Sequence, residues 1–320
     1  MGEEMQEGAR DRGWRKAIPE ARDRLQSKWL VWVVGTLLAL ETASVLRQNY
    51  FLWSMGTTAE LVLLAEIVGI SIAFACLVLA LRAATLGGAL VGGMICLILL
   101  YGTSSSNDTI LRSGLTPLVF LFVLTFLSTR AGRRKKARAG LAEDRRGRSA
   151  SQVIANLAAA ALSVSSLGFV FAMGGEVCCG GSYYSTWVHP VMMIMCLAAL
   201  VEATADTVSS EIGQAFGGVP VMLVGLRRVD VGTDGAVTLL GSGAGVVAGV
   251  LVAALGAWAL RLSVRDGAIA GIAGVCGLFF DSLLGATVER RGWLGNDLVN
   301  FTSTMFAAVL AAAVYRLFMH

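Results

Sequence analysis

Long apolar runs recur along the whole chain, separated by short polar connections. Several reach the roughly 17 residues that a helix needs to span a bilayer, while 115–128 and 190–204 need flanking residues to do so. The alternation of apolar and polar positions that marks membrane barrel strands does not occur. The pattern therefore predicts an all-α, polytopic integral membrane helical bundle with about nine transmembrane helices. The predicted spans are 29–46, 61–81, 85–102, 115–128, 152–172, 190–204, 238–260, 267–285 and 300–318.

Composition agrees with a membrane protein and narrows its partners. The chain is 56% hydrophobic and only 15% charged, against about a quarter charged in a soluble domain. The lipid bilayer is therefore an expected partner. The net charge of +4 is modest, and no basic patch is interleaved with aromatic residues, so nucleic acid is not an expected partner. Six cysteines form no CxxC pair or Cys/His cluster with metal-site spacing, which argues against a zinc or redox motif.

Basic residues predict the orientation in the membrane. The segment 129–149 carries nine Arg or Lys against Glu143 and Asp144, so the positive-inside rule makes this basic loop cytoplasmic. Four predicted spans precede it, which puts the polar N-terminal tail, residues 1–28, on the cytoplasmic side as well. This tail has seven basic and six acidic side chains and is too acidic for a signal or transit peptide. A plastid membrane is a candidate location if the source is photosynthetic.

The stretch LVEATADTVSSEIG, residues 200–213, places acids next to an apolar span, where an acid is costly and needs a reason. In a helix, Glu202, Asp206 and Ser209 lie three or four residues apart and share one face. Glu211 lies about 140° around the helix from Asp206 and would face a different partner. The stretch is consistent with a cation site where the helix leaves the bilayer, or with a helix end whose acids are solvated.

In the predicted topology, polar residues at the ends of spans gather on the cytoplasmic side. Carboxylates bind Mg²⁺, Lys or Arg offsets phosphate charge, and small residues let backbone N–H groups approach a ligand. This group of polar residues therefore predicts a site for Mg²⁺ and phosphate. It comprises Asp206, Glu211, Asp281, Asn296, Asp297, Asn300, the basic loop and the glycine-punctuated segment VGTDGAV at 231–237.

Several of these signals also have a simpler interpretation. The run RRKKAR, residues 133–138, is most often a positive-inside loop or a contact to anionic lipid. Gly232, Thr233 and Gly235 make a plausible turn, but this pattern is weak, and no GxxxxGK[ST] segment indicates a P-loop. Glycines spaced four residues apart inside apolar runs predict helix packing surfaces. They lie at positions 88, 92, 241, 245 and 249.

Five ordered segments together resemble the integral membrane transmembrane protein 19 family, long catalogued as a domain of unknown function. The segments are KKARAGLAEDRRGRSASQVIAN (135–156), ATADTVSSEIG (203–213), VGTDGAVTLLGSGAG (231–245), DSLLGAT (281–287) and GNDLVNFTST (295–304). The resemblance covers about residues 85–318, so 85–320 is taken as the family core. Residues 29–84, with two extra predicted helices, lie outside it. The chain departs from the family pattern at Val208, Ser209 and Gly295, and the last departure is expected to weaken metal binding there.

The family includes plant and cyanobacterial phytyl-phosphate kinase, so the resemblance implies transfer of a phosphoryl group from a nucleoside triphosphate, expected to be CTP, to a prenyl monophosphate. A substrate phosphate is already an anionic nucleophile, so no general base is required. The predicted metal ligands for Mg²⁺ are Asp206, Asp281 and Asp297. The predicted catalytic residues are Asp206, Asp281, Glu211, Lys135 and Lys136. The predicted nucleotide-binding residues are Gly232, Thr233, Gly235, Arg133, Arg134 and Asn300.

Two other classes of function stay open at this point. A transporter or permease would use the intramembrane acids to couple ions, and it would be expected to show an inverted repeat and charges near the middle of the membrane. A family member without catalytic activity would use the acidic and glycine motifs only to pack helices. The sequence alone names neither the prenyl chain nor the oligomeric state.

Overall fold

The computed structural model of the chain describes residues 18–54, 58–104, 109–138, 147–172 and 188–318. Within these ranges the fold is helical, apart from one two-residue strand pair. Residues 1–17 of the predicted tail and residues 139–146 of the predicted basic loop lie outside the described residues. The helices are α1 Glu20–Ser54, α2 Thr58–Ala80, α3 Leu86–Thr103, α4 Leu115–Arg130, α5 Arg133–Arg138, α6 Ala150–Ser163, α7 Ser166–Ala172, α8 Val188–Phe216, α9 Leu239–Ala259, α10 Val264–Leu284 and α11 Asn296–Leu317. The strands are β1 Val221–Met222 and β2 Ala236–Val237, and a π-helical turn, Gly285–Glu289, extends α10.

Seven of the described helices are long and apolar enough to cross a membrane, and α4 and α6 are shorter apolar helices. The predicted all-α membrane bundle of about nine spans is confirmed. The predicted span 152–172 is divided between α6 and α7, and at the break the Ser165 hydroxyl donates 2.7 Å to the Leu162 carbonyl. The predicted span 190–204 continues to Phe216, which keeps the acids of this segment inside the helix.

Helix α8 is the centre of the bundle. In its most apolar 18-residue stretch, 94% of the residues are buried. The helix packs against α4, α6, α9, α10 and α11. Ile194, Leu197 and Leu200 are fully buried on it. A helix that is apolar all round is stable only inside a protein or a membrane. The acids that follow on α8 are therefore held within the protein.

Small residues bring α9 against α8. A Cβ at Gly241 would lie 2.6 Å from the Ser209 carbonyl oxygen, and a Cβ at Gly245 would lie 2.5 Å from the Ala205 carbonyl oxygen. Both distances are too short for any side chain, so the two backbones touch along this face. The predicted packing role is confirmed for these two glycines.

The beginning of α1 is fastened to the connection between the π-turn and α11. Gln26 donates 2.7 Å to the Trp293 carbonyl and accepts 2.7 Å from the Gly295 N–H. Ser27 donates 2.7 Å to the Asp297 carboxylate. A Cβ at Gly295 would collide with the Asp23 carboxylate of α1. The glycine that departs from the family pattern therefore gives α1 room to dock.

A second backbone contact joins the α2–α3 turn to the start of α6. The Thr85 N–H donates 3.0 Å to the Arg148 carbonyl, and the Arg148 N–H donates 2.9 Å to the Ala83 carbonyl. With the α1 contact, it gathers the starts of α1, α3, α6 and α11 at one end of the bundle, where α8 and α10 end. We call this the polar end.

A buried ion pair anchors the short basic helix α5 to α8. The Lys136 ammonium pairs with the Glu211 carboxylate and donates 2.9 Å to the Thr129 carbonyl. The Thr129 hydroxyl donates 3.3 Å to the same carboxylate. Lys136 is 2% exposed and Glu211 is 8% exposed. Glu211 thus has a different partner from Asp206, as its position on the helix predicts.

Replacement of Gly245 by Ala is expected to destabilise the bundle by about 1–3 kcal/mol, because the added Cβ forces α8 and α9 apart. Thermal unfolding of the purified protein in detergent measures this loss. Gly243→Ala is the matched control, since Gly243 is exposed on the same helix and its Cβ would meet no atom within 4 Å. Equal unfolding midpoints for the two variants would show that α8 and α9 are not in backbone contact.

Replacement of Lys136 by Met is expected to cost about 3–5 kcal/mol, because it leaves Glu211 buried without its cationic partner. The double variant Lys136→Met/Glu211→Met is expected to recover most of this loss. Unfolding in detergent compares the two, and Lys135→Met, an exposed neighbour on α5, is expected to change stability by only about 0.5 kcal/mol or less. If Lys136→Met and Lys135→Met behave alike, the ion pair contributes nothing to the fold.

Candidate active site

A cavity of about 290 Å³ opens at the polar end between the ends of α8 and α10. The 231–237 loop covers one side of it, and the starts of α6 and α11 complete the wall. We call it the acidic cavity. It brings together eight residues that the sequence predicts for the site: Asp206, Glu211, Gly232, Thr233, Gly235, Asp281, Asn296 and Asn300.

Carboxylates from α8 and α10 meet beside this cavity. Asp206 and Asp281 line it, while Glu202, one turn earlier on α8, is 1% exposed and lies below them. The three acids interact electrostatically, and Ser303 of α11 donates 3.1 Å to the Asp281 carboxylate. Like charges held this close in an apolar bundle cost free energy unless a proton or a bound cation reduces the net charge.

Five acidic residues line the acidic cavity, and two of them, Asp206 and Asp281, come from the facing helices α8 and α10. Among the described residues, no group of three or more His, Cys, Asp or Glu side chains is arranged as a metal site. Mg²⁺ does not require such a group, because it is usually held by one or two carboxylates together with substrate phosphates and water. Asp206 and Asp281 fit that donor set.

The 231–237 loop is a tight turn that rests on the π-helical extension of α10. Gly232 and Gly235 have φ angles of 91° and 71°, which L side chains rarely adopt. Thr233 donates 2.7 Å to the Asp230 carbonyl. A Cβ at Gly235 would lie 2.6 Å from the Gly285 carbonyl carbon, so the loop backbone lies directly on the π-turn. The predicted turn is confirmed, and its glycines permit both the bend and the close contact.

Arg148 supplies the basic group of the acidic cavity and was not singled out in the sequence. It lines the cavity beside Asp206 and interacts with it electrostatically. It directly precedes Ser149, which caps α6 in a reciprocal pair of bonds with Gln152. A basic residue just before a Ser-x-x-Gln capping box is a detectable signal, because a helix N-terminus itself attracts anions. Asn156, two turns into the alanine-rich α6, also lines the cavity.

A second cavity, of about 490 Å³, lies next to the first between α2, α3, α4 and α6. We call it the apolar cavity. Its walls are mainly aliphatic and aromatic, and no Asp or Glu of the described chain lines it. Arg148 and Asn156 line both cavities. The basic residues around the apolar cavity are Arg82, Arg130, Arg133, Lys136 and Arg148.

Gly92 lines the apolar cavity. A Cβ there would meet only Phe74, at 3.9 Å. Gly92 thus faces α2 across a looser contact than those of Gly241 and Gly245, and it borders the apolar cavity.

The structure separates Asp297 from the other predicted metal ligands. Its carboxylate accepts the Ser27 hydrogen bond from α1, and it lines neither cavity. Asn296 and Asn300 lie four residues apart on the face of α11 that borders the acidic cavity. Asp297 is turned about 100° from Asn296. The prediction that it joins Asp206 and Asp281 is therefore wrong.

The basic residues of α5 also differ in placement from the prediction. Lys136 turns inward, where Glu211 offsets its charge. Arg134 and Lys135 are exposed and line neither cavity, because they lie on the outer face of this short helix. Arg133 is exposed and borders the apolar cavity instead of the acidic one. Arg148 takes the position next to the carboxylates that was predicted for α5.

Three relatives resemble parts of the chain. "Uncharacterized membrane protein sll0875" of Synechocystis is 29% identical over 204 residues, 63% of this chain and 74% of that protein. "Uncharacterized membrane protein MJ0933" of Methanocaldococcus jannaschii is 33% identical over 37% of this chain and 50% of that protein. "Protein VTE6, chloroplastic" of Arabidopsis thaliana is 26% identical over 59% of this chain and 55% of that protein. The chain thus spans about half the length of the last two relatives.

No solved structure matches the chain. The family described as "Integral membrane protein DUF92" matches residues 69–308. This range begins within α2 and includes every residue that lines the acidic cavity. The match agrees with the family resemblance of the five segments. The chain belongs to the integral membrane DUF92 family.

Proposed function

We propose that the protein is a membrane-embedded prenyl-phosphate kinase. It transfers a phosphoryl group from a nucleoside triphosphate to a prenyl monophosphate, and CTP is the proposed donor. The observation that carries the proposal is the junction of two cavities at Arg148 and Asn156. One cavity is acidic and carries a glycine turn, and the other is apolar with a basic border. The apolar cavity suits the hydrocarbon tail of a prenyl phosphate, and the acidic cavity with its glycine turn suits Mg²⁺ and a nucleoside triphosphate. The two substrates would therefore meet at this junction. The family supports the same reaction, since it includes phytyl-phosphate kinase.

In the proposed reaction, an oxygen of the prenyl monophosphate forms a bond to the terminal phosphorus of the nucleotide. The bond from that phosphorus to the bridging oxygen breaks, and the nucleoside diphosphate leaves with the electron pair. The attacking oxygen is already anionic, so the site needs no general base. The Arg148 guanidinium holds the acceptor phosphate and offsets the charge on the transferred group. Backbone N–H groups of the 231–237 loop hold the nucleotide phosphates.

Asp206 and Asp281 would hold Mg²⁺ in this site, where the ion would neutralise the nucleotide phosphates. Ser303, by its bond to Asp281, fixes the orientation of that carboxylate. Asn300 lies where it can donate to a phosphate or its water shell. The polar end faces the cytoplasm in this proposal, because the basic segment 129–149 and the predicted nucleotide site lie there.

Replacement of Asp206 by Asn is expected to reduce turnover by at least about 100-fold, because the site loses a carboxylate that would hold Mg²⁺ against the nucleotide phosphates. The measurement is formation of prenyl diphosphate from geranylgeranyl phosphate or phytyl phosphate with CTP and Mg²⁺, in membranes that contain the protein. Asp266→Asn, the same change at the opposite end of α10, is the control. Unchanged turnover in Asp206→Asn would remove this residue from the mechanism. Folded wild-type protein that converts no prenyl phosphate with any nucleotide would favour transport.

Replacement of Arg148 by Ala is expected to lower kcat/KM for the prenyl phosphate by at least about tenfold, since a charge-assisted bond is worth about 1.5–3 kcal/mol. The fold is expected to persist, because the backbone of Arg148 holds the α2–α3 turn. Arg148→Lys keeps the charge and is expected to retain an intermediate rate. Steady-state kinetics in detergent or nanodiscs compares the three proteins. Wild-type kinetics for Arg148→Ala would contradict the proposed role.

A further inference from the structure

The apolar cavity is larger than a phosphate site requires. Phe74 of α2 and Phe122 of α4 meet edge to face across it, with ring centroids 5.9 Å apart. Leu118 and Leu121 of α4 are both buried and line the inner end of the cavity, which we call its floor. The charged residues lie at one end, where the Arg130 guanidinium is over Phe126 at 3.8 Å. The cavity therefore has an apolar body and a cationic mouth.

Helix geometry gives the length of this cavity. Leu118 and Arg130, which both line it, are twelve residues apart on α4, or about 18 Å along the helix axis. An extended backbone advances about 3.6 Å per residue, or about 1.2 Å per single bond. A fully extended chain of about 15 bonds therefore spans the distance from floor to mouth.

We propose that the apolar cavity is the subsite for the hydrocarbon tail of a single-chain isoprenoid phosphate, and that Gly92 determines the chain length it accepts. The reaction in which the tail takes part rests on the proposed function, whereas the binding of the tail is inferred from the shape and lining of the cavity alone. Basic residues and no acid border the cavity among the described residues, so an anionic head group is favoured at its mouth. The shared Arg148 then brings the head group to the acidic cavity.

Gly92 lies partway down the cavity. It is six residues beyond the start of α3 at Leu86, or about 9 Å from the polar end. The only atom within 4 Å of a Cβ there is the Phe74 ring edge, at 3.9 Å. A large side chain at 92 therefore enters the space of the cavity and leaves room above it for a chain of about seven bonds.

The Gly92→Phe variant tests the length limit through turnover. Its kcat/KM for the C20 substrate geranylgeranyl phosphate is expected to fall at least tenfold, because binding of the far part of the tail is lost. Its kcat/KM for the C10 substrate geranyl phosphate is expected to stay within about twofold of wild type, because the shorter tail does not reach residue 92. Gly69→Phe is the control, because Gly69 is exposed on α2 and has no atom within 4 Å of a Cβ. An unchanged C20 to C10 preference in Gly92→Phe overturns the subsite while the kinase proposal stands.

A binding measurement separates the subsite from catalysis. The probe is an alkyl monophosphate with a diazirine at the tail end, applied in detergent micelles to the wild-type protein and to Asp206→Asn. The expected result is crosslinking to α3 and α4 in both proteins, competition by geranylgeranyl phosphate, and loss of crosslinking in Gly92→Phe. Crosslinking spread over the lipid-facing helices, without competition, overturns the proposal. Competed crosslinking in a protein that converts no prenyl phosphate supports the subsite and overturns the kinase.

Discussion

The arrangement of the polar end depends on one constraint, the free-energy cost of burying carboxylates in an apolar helix. Helix α8 is the centre of the bundle, yet its last turns carry acids that water cannot solvate well. Each buried charge requires a partner, or it destabilises the fold. Lys136 satisfies Glu211, and Arg148 acts on Asp206. The basic helix α5 and the residue before α6 thus supply positive charge beside two of these acids.

The sequence predicted the bundle well, because membrane spans are set by uninterrupted apolar length. It also predicted that Asp206 and Glu211 have different partners, since helical periodicity fixes the angle between them. The loop at Gly232 was predictable for a similar local reason, namely that glycine tolerates positive φ. These features follow from chain segments of fewer than about 25 residues.

The remaining features depend on contacts between distant segments. Whether Lys136 or Lys135 turns inward is decided by the position of Glu211, 75 residues away in the chain. Asp297 has the residue type of a metal ligand, but the docking of α1 gives it Ser27 as a partner. Arg148 is one of many arginines in its segment, and only the fold brings it to the junction of two cavities. Local patterns indicate candidate residues, but the contacts that decide among them come from the fold.

The docking of α1 on the segment before α11 also bears on the order of assembly. The bonds from Gln26 to Trp293 and Gly295 join residues 267 and 269 positions apart. The first described helix to leave the ribosome must therefore wait for the last one before this contact can close. α1 precedes the part of the chain that matches the family, residues 69–308. In this protein, completion of the polar end is thus a late event of biogenesis, when the first and last helices of the bundle meet.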